Sequence, residues 1–489
     1  MTAPATLRMT AEDFAGLAGC RPSPTALRVL RDGQISRRLL MLMDVAAAAR
    51  SRAPEFWESR GAAAWELCSR ARRADVRAFE AVLLHPHVGV WLGRCMRALD
   101  GPRPAARAGT HLARLGGLAA AAALRAGLRP QLALPAPDSL LWLPTLGVVR
   151  LPGDAVEARL RGDVLEPGGR LPAPGQWDGS PRWGESQQWD ESAAHGTAWC
   201  APRRLVVHGP QGTPPLSVVL EDFDPYRDAH GHRVLPGRTA GDLRAWQASV
   251  ASAWDVLTRL LPDRAEACAS LWSSLVPLRP PETGEGVSSS AREAYGAIAA
   301  SFTSDPVQLA ETVVHESAHI AFGALADLTD LWDPEDATLL PVGWREDLRP
   351  IGSALTGTHA HLALLEFWRR RGQEVSGGQA CAARDRLRHY GVQVVKALRL
   401  LQAHRPLPPM GRHFVSIMVA EAARCGFSLP PPPSARPLRA SHHRVALRET
   451  LDLGRRRAAS TSAQEVAAFA VRSPGCRATT VDETTPGAG

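Results

Sequence analysis

LAETVVHESAHIAFGAL, residues 309–325, joins a helical apolar period to the five-residue pattern His315-Glu316-Ser317-Ala318-His319. Side chains four apart lie on one face of a helix, so His315 and His319 can offer imidazole nitrogens to a single ion at ~2.0–2.1 Å. Glu316 leans beside that face, within reach of a metal-bound water or a substrate. Val313, Val314, Ile320, Phe322 and Leu325 are placed to bury the rest of the helix. This pattern most often marks a zinc peptidase. A short strand-like run, EAYGAIAASF, precedes it.

The pattern leaves the third ligand open. The extended HExxHxxGxxH form is excluded, because Phe322 and Leu325 stand where Gly and His are required. Glu346 and Glu366 are carboxylate candidates, although neither lies in an ExxxD context. His359 and His361, in LTGTHAHLALLEFW, are better placed. Two residues apart on a helix they point roughly 200° away from each other, so one faces an ion and the other packs or caps.

Outward from the motif, the chain divides by texture. Residues 1–129 read as a helical N-terminal domain, with apolar spacings of three and four. Within it, His85-Pro86-His87 stands between two helices with Pro86 as a start signal; its histidines could be ligands, but packing or capping is the preferred reading. Residues 130–237 are β-rich, with short runs such as SLLWLPTLGVVRLPG and PPLSVVLEDF around a turn-rich loop carrying Trp177, Trp183, Trp189 and Trp199. Residues 238–453 form the helical metal-binding domain, with a loop at 334–350, and 454–489 reads as a disordered tail. The expected fold class is mostly α (α+β).

Composition narrows the function. Of 57 basic residues only Lys396 is lysine, so the net charge of +8 reflects arginine-rich coding and not a nucleic-acid surface. Arg369-Arg370-Arg371 reads as the solvated last turn of a helix. The eight cysteines form no CxxC pair, which excludes a zinc ribbon or an iron–sulfur loop. No signal peptide and no apolar stretch of ~18 residues is apparent. The expectation is a reduced, soluble, cytoplasmic protein without a nucleic-acid or membrane partner.

ETVVHESAHIAFGAL (311–325), GWREDLRP (343–350) and ALTGTHAHLALLEFW (354–368) together resemble the HExxH-type 2-oxoglutarate- and iron-dependent peptide β-hydroxylases. HPHVGVWLGRCMRAL (85–99) and DPYRDAHGHRVLPG (224–237) are weaker matches. These bacterial enzymes modify ribosomally made peptides. The resemblance implies Fe(II) on His315, His319 and His361, and 2-oxoglutarate held by Arg345 and Arg349 in the intervening loop. It implies a positioning role for Glu316 and a precursor peptide as substrate. The chain lacks a CxxxCxxC, so a radical-SAM maturase would be a separate partner. Thr356-Gly357 departs from the family's frequent His-Gly. The alternatives are a zinc peptidase, with Zn2+ and Glu316 as general base, and a non-catalytic peptide binder with a vestigial site.

Overall fold

The computed structural model describes residues 7–101, 104–167, 169–171, 198–210, 213, 215–235, 237, 239–282 and 286–429. The loop bearing Trp177, Trp183 and Trp189, and the tail at 454–489, lie outside them. The protein is mixed α+β, as expected. Helices run from Ala11–Ala18 through Leu115–Arg125, short strands follow, and helices return at Ala240–Leu260. No helix among the described residues is long and apolar enough to cross a membrane.

The five-stranded sheet that supports the motif has the order Ser288–Ser289, Ala297–Ser301, Ser274–Leu278, Leu216–Leu220, Arg203–Val207. Its middle three strands are mutually parallel and the two outer strands are antiparallel to their neighbours. Strand Ala297–Ser301 (AIAAS) is buried throughout, and small side chains let a helix approach its face closely. The motif helix, Pro306–Ala326, begins five residues later. Asp305 caps it by accepting the Val307 and Gln308 amides, and Pro306 presets its first turn.

The motif helix packs against Ile351–Glu374, which continues through Gly377–Ala403 and Pro409–Arg424 into one helical layer. Packing cuts across the stretches read from composition. One core joins residues 9–30 to strands and helices between 205 and 425. The second joins the helices after residue 41 to the strands up to Leu171, and a small third cluster gathers Val276, Leu278 and Ala299.

The long helix Pro24–Arg52 belongs to both cores: Ala26, Leu27 and Leu30 enter the first, and Met41, Leu42, Val45 and Ala49 the second. Between them, Gln34 Nε2 donates to Asp327 Oδ2 at 2.8 Å, and Arg37 lies 3.6 Å from the same carboxylate. Asp327 is the C-cap of the motif helix and also accepts from Arg292. The long helix therefore fixes the end of the motif helix through a buried, multiply bonded carboxylate.

Candidate metal centre

Helical geometry brings the two motif histidines together as their spacing requires. His315 Nε2 and His319 Nε2 are 3.1 Å apart. Two ligands at ~2.0–2.1 Å from one ion, at angles between octahedral and tetrahedral, lie roughly 2.9–3.4 Å apart. On its other side, His319 Nδ1 is hydrogen-bonded to Thr356 Oγ1 at 2.9 Å. With the Nδ1 proton on that bond, Nε2 is a bare acceptor, the usual arrangement behind a metal-bound imidazole. The departure at Thr356 thus supplies an orienting partner for a candidate ligand.

The next helix places its two histidines in different surroundings. His359 Nε2 bonds the Leu17 carbonyl at 2.8 Å, and its ring lies among Phe322 and Phe414. It is a core histidine. The His361 ring centroid is 5.3 Å from that of His315, and its buried Nδ1 has no hydrogen-bond partner. Trp344 meets the His361 ring edge-on at 4.6 Å, and Tyr390 stacks on it at 5.3 Å. Tyr390 in turn donates to Glu311 Oε1, as does Trp368 Nε1.

Burial drives all three imidazoles toward the neutral form that binds metals: His315 down to about 4, His319 to about 3 with help from His315, and His361 well below its ordinary value. The three do not yet converge to within 4.8 Å nitrogen to nitrogen.

Glu316 is buried, and each of its oxygens accepts a serine hydroxyl at 2.7 Å, Oε1 from Ser288 and Oε2 from Ser290. Both serines belong to the edge strand or its end, which runs beside the motif helix. The other carboxylate candidates fall away. Glu366 is fastened by Arg369 and Arg370, with its carboxyl held down to about 2 against the effect of burial, and Glu346 is exposed. Arg369 and Arg370 are accordingly ion-pair partners and not merely solvated charges, and Arg371 pairs with Glu374.

The two arginines expected to hold 2-oxoglutarate are engaged elsewhere or open to solvent. Arg345 is exposed, and Arg349 pairs with the exposed Asp347 at 2.8 Å. What the 334–350 loop delivers to the site is Trp344. Sequence reasoning missed Thr356 as a partner, together with Ser288, Ser290, Glu311, Trp344 and Tyr390. Only Glu311 carried a usable signal, standing one helical turn before His315.

A second group of ligand-type side chains lies elsewhere. His85, His87, Glu221 and Asp224 each offer one ligand atom, and these atoms all fall within 4.8 Å of one another. His85 occupies the N-cap position of helix Pro86–Asp100 but makes no side-chain cap bond; its Nε2 meets Glu221 Oε1 at 3.0 Å instead. The reading of these histidines as packing or capping groups therefore misses their carboxylate partners. No protein-family model matches the chain, and no curated protein matches it.

Proposed function

We propose that the chain is an Fe(II)- and 2-oxoglutarate-dependent hydroxylase acting on the Cβ of a residue in a ribosomally made peptide. The observation that favours this over hydrolysis is the fastening of Glu316 by Ser288 and Ser290, one on each oxygen. A general base must present an oxygen to the metal-bound water. The two serine bonds use one lone pair on each oxygen and favour a carboxylate that holds the edge strand in register with the imidazoles.

His315, His319 and His361 would hold the iron, and the two neutral motif imidazoles and the orphaned Nδ1 of His361 fit that role. The metal with its keto acid and O2 supplies the oxidation of an unactivated C–H bond. The protein's share is placement. Thr356 fixes the His319 tautomer, and Trp344 and Tyr390 cover the His361 ring. Arg345, adjacent to Trp344, is the guanidinium proposed for the distal carboxylate of 2-oxoglutarate, with Arg349 second, since its exposed pair with Asp347 exchanges at little expense. The strand Ser288–Ser289 ends the sheet among the described residues, so an extended peptide can pair along it beside Glu316.

The test is anaerobic reconstitution with Fe(II) and 2-oxoglutarate, followed by O2 and measurement of succinate. Succinate formed in proportion to iron supports the proposal. Glu316→Gln, which keeps an acceptor oxygen, should retain at least about a tenth of it, since a positioning residue is less critical than a base. Zinc-dependent peptide cleavage without succinate, abolished in Glu316→Gln, would establish the peptidase reading instead.

A further inference from the structure

We propose that His85, His87, Glu221 and Asp224 form a second divalent-metal site, suited to a transition ion of the iron, zinc or manganese class and independent of the HExxH pair. His87 is fully buried, and neither ring nitrogen makes a hydrogen bond. An orphaned buried polar atom is costly to keep, and His359, for comparison, satisfies its Nε2 on a main-chain carbonyl.

His87 Nδ1 instead faces Asp224 Oδ2 at 3.5 Å. That is long for an N–H···O bond (roughly 2.7–3.2 Å) but fits two ligands sharing one ion at ~2.0–2.2 Å. The 3.0 Å between His85 Nε2 and Glu221 Oε1 fits equally. His85 Nδ1, also without a partner, lies 3.9 Å from Asp224 Oδ2.

Charge and support agree with the distances. Two buried carboxylates opposite two imidazoles balance a dication. Asp224 is oriented from outside the group: Oδ1 accepts the Tyr226 amide and Oδ2 accepts Trp142 Nε1–H, each at 2.8 Å. This is the outer support that ligating carboxylates require. Arg38, itself buried, donates to the carbonyls of Leu83 and His85 and fixes the turn that carries both histidines. Mixed imidazole and carboxylate donors favour iron, zinc or manganese over magnesium or calcium. His85 and Glu221 also border a cavity of about 430 Å³, which gives the ion an entry path and room for a further ligand.

The full-length protein, stripped with chelator, is titrated anaerobically with Co2+ and Zn2+. Bound metal is counted after gel filtration, and Co2+ absorption reports its ligands. Wild type is expected to bind two equivalents. His87→Asn and the milder Glu221→Gln should each weaken one equivalent by at least about 100-fold, with native circular dichroism in at least one of them. A His315→Ala, His319→Ala double variant should lose only the other equivalent. A single wild-type equivalent that survives the double variant and is lost in Glu221→Gln would uphold this site while removing the HExxH reading. Unchanged binding in both His87→Asn and Glu221→Gln, or no binding by wild type, overturns the proposal.

Discussion

His359 and His361 sit two residues apart on one helix and do different work. Spacing alone says that one of them faces the motif. The Leu17 carbonyl, 342 residues away, takes His359 into the core and leaves His361 as the one beside the motif. His361→Ala should therefore lower metal affinity by at least about 100-fold, read by Co2+ titration of a variant that keeps its native circular dichroism. His359→Ala should keep the metal stoichiometry and lose roughly 2–4 kcal/mol of stability through its cavity and its unpaired carbonyl. A similar argument applies to Thr356. Thr356→Val leaves His319 Nδ1 without its partner and should weaken metal binding about 10–100-fold, and Thr356→Ser should restore it. The motif pair and Glu316 were legible because they share one helical turn. The serines on Glu316 and the threonine on His319 were not, because no local pattern ties a hydroxyl to an imidazole 37 residues earlier.

Among the elements, long amphipathic helices and β-branched strands were legible from period and composition, while the short pieces were not. The 334–350 stretch, read as loop, contains a two-stranded hairpin of Leu339–Leu340 with Arg349–Pro350. Strands of two residues carry too few side chains to show alternation. That hairpin presents Trp344 to the helix at Gly357, where a methyl group would meet the indole at 2.7 Å. Gly357→Ala should therefore push Trp344 off His361. The expected result is a destabilisation of about 1–3 kcal/mol from overpacking, with brighter and more quenchable tryptophan emission. Trp344→Ala combined with Gly357→Ala should recover part of that stability in denaturant titrations. No recovery would mean that the strain lies elsewhere on the helix.

At the scale of the whole molecule, buried neutral histidines make stability depend on pH. His359 is held down to about 4 and His230 to about 3, in both cases chiefly by burial. In the unfolded chain they titrate near 6.5. Between those values the unfolded state binds more protons than the folded one, so stability is complete above about pH 6.5 and is lost as pH falls toward 4. The metal-free protein should melt at progressively lower temperature from pH 7 to 5, and a flat profile would contradict the burial of these rings. The α+β class was readable from the order of textures, but the two large cores were not. Compositional boundaries follow the chain, whereas the first core recruits residues 9–30 to helices three hundred positions later.

The long helix Pro24–Arg52 makes that recruitment matter for genetics. Its first turns belong to one core, its later turns to the other, and Gln34 between them holds the cap of the motif helix. Lesions there would be scored in a mutant screen as lost chemistry, through the cap of the motif helix and the turn that Arg38 holds. For the same reason the gene could not be split between residues 129 and 130 or between 237 and 238 without dividing a shared core.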